Sequence, residues 1–199
     1  MISKTKFLGL EPFREILDEY TSSNNSTDIL VKDLDPKATL NKLTIKSSSD
    51  SSKQTWIACE PDKMQKKSGR MSLLFSRKKD ANHNQACDLF IIYLDVESEN
   101  LIFLFAELKS SDSTNSISKA KKQLQSTRQF ARYLNGLVKE FYPVNNFKTE
   151  EKFIVFVGSN YQNKAPTSTR PKKISNDPKN PTIKSIKNES QIFLKQLIQ

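Results

Sequence analysis

Histidine is nearly absent from this chain of 199 residues, and cysteine is scarce. His83, the single histidine, cannot assemble the several imidazoles of an HNH-type nuclease or a histidine-rich metal centre. Cys59 and Cys87 are too few for a zinc ribbon and read as reduced, structural thiols. His83 itself lies in the polar stretch "DANHNQ" and reads as a solvated side chain. Two further absences concern location. The sequence shows no N-terminal signal pattern and no apolar run of the roughly 18 residues that a membrane span needs, so a cytoplasmic protein without a membrane partner is expected. No internal repeat is visible.

Positive charge is what the chain has in excess. Thirty-two lysines and arginines face 22 acids, a formal net charge of +10. Such an excess is usually matched by phosphate or an acidic surface, and nucleic acid is the favoured partner. With 36% hydrophobic and 27% charged residues, the chain is ordinary for one globular domain with a real core.

Periodicity places the elements. "EPFREILDEY" sets Phe13, Ile16, Leu17 and Tyr20 at helical spacing, with Glu15 and Glu19 beside that stripe, and predicts a first amphipathic helix. After the polar "TSSNNSTD" come weaker strand candidates at "TLNKLTIKS" and "QTWIACE", separated by serine-rich "SSSDSSK". Residues 63–80 carry seven basic side chains around a short apolar patch. Two apolar runs follow, "CDLFIIYLD" and "NLIFLFAELK", each of the length and composition of a strand buried on both faces. Ser118 to Phe141 then shows Leu124, Phe130, Ala131, Leu134, Leu137 and Val138 at helical spacing, and "KFIVFVG", Lys152 to Gly158, predicts another interior strand. The remainder, 159–199, is expected to pack on or near a core of residues 1–158. It comprises a basic loop interrupted by Pro166, Pro171, Pro178 and Pro181, then a short amphipathic helix at "ESQIFLKQLI".

A buried strand that ends in Glu107 and Lys109 needs a reason. If the two central strands form a hairpin whose turn is centred between Glu97 and Ser98, residues whose numbers sum to 195 face each other, and Asp88 stands opposite Glu107. Directly opposed residues point to the same side, and Glu107 and Lys109, two apart, share that face. Phe90 with Phe105 and Ile92 with Phe103 line the rest of it. Two carboxylates held so close repel unless a cation lies between them, and hard oxygen ligands suit Mg2+ or Mn2+, with the Leu108 carbonyl as a further ligand. Lys109 would orient or help deprotonate an attacking water, or neutralise charge on a scissile phosphate. Acid-X-lysine triplets also arise by chance, as in "EEK" at Glu150 and "DPK" at Asp35 and Asp177, but none of these closes a buried strand opposite an aspartate.

On these residues the chain resembles the PD-(D/E)XK nuclease superfamily, the restriction-endonuclease-like group. The resemblance runs over roughly residues 10–158 and implies an α/β fold, a central mixed sheet flanked by helices in the order α-β-β-β-α-β. It assigns Asp88 as the first acid, Glu107 as the second and Lys109 as the lysine, and implies a metal-dependent phosphodiesterase. Cys87 stands where the motif has proline, and the literal Pro61-Asp62 ranks second because it lies too far upstream to share a hairpin with Glu107. Some members add an acid from the first helix and a glutamine and tyrosine one helical turn apart, which would fall on Glu15 or Glu19 and on Gln129 and Tyr133; Gln123 or Gln125, nearer the helix start, are alternatives.

The expectation is therefore an endonuclease acting on DNA, with RNA left open because phosphate contacts do not read the sugar. The basic loops would grip the backbone through Lys66, Lys67, Arg70, Arg77, Lys78, Lys79, Arg170, Lys172 and Lys173. A role in bacterial defence would follow the superfamily's habits. Cutting both strands calls for a homodimer or a partner subunit. The rival is a non-catalytic module that keeps the fold and binds nucleic acid or a protein.

Overall fold

Asn100–Lys109 is a strand of 10 residues whose burial pattern leaves only its two ends partly exposed. A strand with no wet side needs a layer over each face, and that requirement organises the molecule. The computed structural model describes residues 10–17, 28–32, 38, 40, 42–46, 56–62, 85–95, 97–142, 147–158 and 173–198. In chain order the elements are α1 (Glu11–Leu17), β1 (Asp28–Lys32), β2 (Lys42–Lys46), β3 (Trp56–Cys59), β4 (Leu89–Asp95), β5 (Asn100–Lys109), α2 (Thr114–Phe141), β6 (Lys148–Gly158), β7 (Thr182–Ile186), β8 (Ser190–Phe193) and α3 (Lys195–Ile198).

The result is an α/β structure with mixed sheets flanked by helices. A five-stranded sheet runs β3-β4-β5-β6-β7, antiparallel from β3 to β5 and parallel from β5 to β7. A parallel β5–β6 pair cannot be closed by a tight turn, and α2 makes the crossover. Alternation divides the side chains between two cores. Phe90, Ile92, Phe103, Phe105, Phe153 and Val155 pack against α1 and α2. Leu89, Ile91, Leu104, Ala106, Ile154 and Phe156 face the other way, against Ile29, Val31, Leu43 and Ile45 of a three-stranded sheet β1-β2-β8 and Leu197 of α3.

Across the first face, Phe90, Phe105 and Phe153 stand in register on three neighbouring strands and stack, with centroids 5.0 and 4.8 Å apart. Phe103 meets Phe90 edge-on at 5.7 Å, a geometry the ring quadrupoles favour. This aromatic layer is the floor beneath the residues considered below.

Several expectations shift. The stretch "DILVK" forms β1 because its alternation puts Ile29 and Val31 inward, although it is too short to stand out beside the polar residues before it. In α1, Phe13 and Leu17 are buried while Ile16 is 36% exposed, and residues 18–20 lie outside the description. The long helix begins at Thr114 rather than Ser118, because Ser113 caps it: its hydroxyl accepts from the Ser116 amide at 3.3 Å. β6 begins at Lys148, which places the "EEK" triplet within a strand.

The largest correction concerns the C-terminal part. "ESQIFLKQLI" is not one helix: Ser190–Phe193 is a strand and only Lys195–Ile198 is helical. β7 extends the main sheet beside β6, and β8 pairs in parallel with β2, so residues 173–198 contribute a strand to each sheet. Among the described residues no helix is long and apolar enough to cross a membrane.

Candidate functional site

The β4–β5 register pairs Leu89 with Ala106, Phe90 with Phe105 and so on to Asp95 with Asn100, each pair summing to 195 as the hairpin arithmetic requires. The turn that sets this register is held by Asp95, whose carboxylate accepts from the amides of Glu97 and Ser98 and from the Ser98 hydroxyl at 2.6 Å. Glu99 closes it at φ 52°, in the left-handed region. One step beyond Leu89 and Ala106, Asp88 meets Glu107.

The two acids brace each other's backbone. The Asp88 amide donates to Glu107 Oε2 at 3.1 Å, and the Leu108 amide donates to Asp88 Oδ2 at 2.7 Å. Glu107 is 1% exposed, because the Phe90–Phe105–Phe153 layer lies two residues below it, about 7 Å along the strands. Burial pushes its carboxyl well above the ordinary glutamate value, and the Asp88 charge adds to the shift against the opposing pull of Lys109. Lys109 lies across this pair, its ammonium donating to Glu107 Oε1 and to Gln123 Oε1, the latter at 2.8 Å.

Helix α2 fixes the approach to Asp88. Gln123 turns its amide nitrogen to the Ala86 carbonyl at 2.8 Å, and Thr127 Oγ1 accepts from the Cys87 amide at 2.9 Å. The two side chains are one helical turn apart and so share a face. Gln123 thus bridges both arms of the site, holding Lys109 on one side and the segment entering β4 on the other. Thr127 was not singled out from sequence. It is 0% exposed between Leu124 and Ala131, and a threonine on the otherwise apolar stripe of α2 is the only trace of it in the sequence.

Other sequence candidates fall elsewhere. The Tyr142 hydroxyl donates to Glu15 at 2.9 Å, and Tyr142 is 19 residues beyond Gln123, about 28 Å along the helix. Glu15 is therefore remote from the acids. At 100° per residue, Gln129 and Tyr133 lie about 120° and 80° around α2 from Gln123 and are both exposed, so they share a face with each other but not with the site. Gln125 faces the same outer groove as Gln129. Leu108 packs into the opposite core and engages Asp88 through its amide. Asp62 comes closer than its sequence position suggests: β3 pairs with β4, and the Asp62 amide donates to the Cys87 carbonyl at 3.2 Å. His83 and the basic residues Lys66, Lys67, Arg70, Arg77, Lys78, Lys79, Arg170 and Lys172 lie outside the described residues; Lys173 is described and exposed.

Among the described residues no cluster of three or more histidine, cysteine or acidic side chains is grouped to hold a metal. The donor set is two carboxylates, which suits a hard ion that keeps several waters rather than a closed protein cage. The raised carboxyl of Glu107 is the electrostatic deficit that such an ion relieves, so the residues present fit Mg2+ or Mn2+. No protein-family model, curated protein or solved structure matches this chain.

Proposed function

We propose that the protein is a metal-dependent nuclease of the PD-(D/E)XK, restriction-endonuclease-like kind that hydrolyses phosphodiester bonds of DNA. One observation carries the reading: Asp88, Glu107 and Lys109 converge at the end of an apolar hairpin, where a buried acid stands beside a second acid and a lysine. The order of elements supports it. Setting aside β1 and β2, which join the second sheet, the chain runs α1, β3, β4, β5, α2, β6.

Asp88 and Glu107 would hold the metal. When bound, Mg2+ or Mn2+ supplies electrophilic polarisation of the scissile phosphate and its attacking water. Gln123 keeps the Lys109 ammonium at the site, where it can donate to a phosphate oxygen once its bond to Glu107 is exchanged. The aromatic floor excludes water from below, which strengthens each of these interactions. Backbone contacts would come from the basic segments 63–80 and 164–187, with salt-sensitive affinity. Double-strand cutting would take a dimer or a partner subunit, and defence against foreign DNA is the setting the resemblance suggests.

A second reading is a non-catalytic nuclease-fold module, favoured by the contact in which the Lys109 ammonium pairs with Glu107. The deciding experiment incubates supercoiled plasmid with the purified protein in Mg2+, Mn2+ or EDTA, alongside Glu107→Gln and Lys109→Ala. Metal-dependent nicking or linearisation that both variants lose is the expected result. Plasmid binding by all three proteins with no cutting in either metal would sink the nuclease and leave the binding module.

A further inference from the structure

The candidate acids occupy one end of the β5–β6 pair; the other end holds a different chemistry. Phe103 pairs with Glu151 four residues before Glu107 pairs with Val155, about 13 Å down the strands. There α2, β6 and the segment around Lys173 enclose a cavity of about 620 Å3. Six basic residues and the acids Glu150 and Glu151 line it, but Lys148 pairs with Glu150 and the Lys152 ammonium donates to the Ile198 carbonyl on the side of the second core, which leaves Arg128, Arg132, Lys139 and Lys173.

A basic helix face alone is a solvated surface, but this cleft has three further properties. Glu151, 14% exposed, accepts from Arg128 Nε at 2.7 Å and from Arg132 Nε at 2.8 Å, so one carboxylate orients both guanidinium planes. Arg128 lies over the Phe153 ring at 5.7 Å, and its terminal nitrogens have no hydrogen-bond acceptor among the described residues. Thr149 Oγ1, shut away from solvent in the cleft wall, has no hydrogen-bond partner among the described residues. Positive charge predominates in the cleft.

We propose that this cleft binds an anionic phosphate group, gripped by Arg128 and Arg132 with Lys173. The guanidinium fork matches phosphate oxygens in a way that a lysine cluster does not. The site stands apart from the carboxylate end and does not depend on the nuclease reading. Its ligand is either a free phosphorylated molecule or the phosphate backbone of a bound nucleic acid.

Calorimetric titration of the full chain with inorganic pyrophosphate in EDTA, at matched ionic strength, tests this against chloride. Saturable one-site binding is expected, weakened about tenfold by Arg132→Gln or Lys173→Gln, since each removes a charged donor, and unchanged by Asp88→Asn. Both substituted cations are at least half exposed or on the surface, so the fold is retained. No saturable binding, or unchanged binding in both variants, overturns the proposal. A labelled oligonucleotide then separates the sources: displacement by pyrophosphate identifies the backbone, and simultaneous binding identifies a free phosphorylated ligand.

Discussion

Thr127→Val is the sharpest probe of how α2 positions Asp88. Threonine and valine have nearly the same shape, so the substitution leaves no cavity and removes only the Oγ1 acceptor. In the native protein that oxygen takes the Cys87 amide at 2.9 Å, in a place where both residues are at 0% exposure. Water cannot replace it. The variant leaves a buried N–H unsatisfied, at about 1–3 kcal/mol. For a chain of this size each kcal/mol lowers the melting temperature by about 2–4 °C, so a fall of about 2–12 °C is expected by circular dichroism. Thr127→Ser keeps the acceptor and deletes one methyl group, at about 1 kcal/mol. Valine should therefore cost more than serine unless its acceptor loss lies at the low end of that range. In a metal-dependent cleavage assay valine should also reduce rate more than serine, because Cys87 precedes the acid whose position matters. A valine variant within 0.5 kcal/mol of the parent by denaturant titration, or a serine variant that loses more than valine in both stability and cleavage, refutes the argument that this hydrogen bond holds the segment.

Other outcomes follow from the same geometry. Because burial raises the Glu107 carboxyl above its unfolded value, the native state keeps that proton to higher pH, and this group's contribution to stability declines as pH rises from the ordinary glutamate range to the raised native value. Glu107→Gln should flatten that slope in EDTA; parallel stability curves for variant and parent would contradict it. Lys109→Met strips the cation from two facing carboxylates and should destabilise the metal-free protein by up to about 3–5 kcal/mol, less whatever protonation of Glu107 relieves, with Mg2+ restoring more stability to the variant than to the parent. Equal Mg2+ effects in thermal melts would count against a shared metal position. Gln123→Leu should cost about 1–3 kcal/mol while Gln129→Leu stays within about 0.5, a contrast that chemical denaturation reads directly. Leu197→Ala should lose about 2–5 kcal/mol, since the side chain is wholly buried in the second core; a silent substitution would mean the C-terminal part is not built into that core.

The hairpin was legible because three local signals agree. Continuous apolar runs identify β4 and β5, the polar "VESE" between them sets the turn, and period-two alternation then places Asp88, Glu107 and Lys109 on one face. The long helix was legible for the same reason, its stripe from Leu124 to Val138 having no competing period. Less of the remainder could be read. β1 and β8 are short, and "SQIF" carries as much helical as strand character until β2 offers it hydrogen bonds. The roles of Gln123 and Thr127 depend on how α2 lies across the sheet, which no spacing within the helix specifies. Gln129 and Tyr133 satisfied a spacing rule and yet face away, because the orientation of a helix about its axis is decided by which stripe the core buries.

Local pattern thus determined which residues form the central strands and which acids end them, since alternation and turn length act between neighbours in the chain. Tertiary structure alone decided that Glu107 is sealed over stacked rings, that Lys109 is tied to α2, that the C-terminal strands complete both sheets, and that Arg128 and Arg132 share Glu151 at the opposite end. Those features arise from contacts between distant segments, whose energies exist only once the layers have packed.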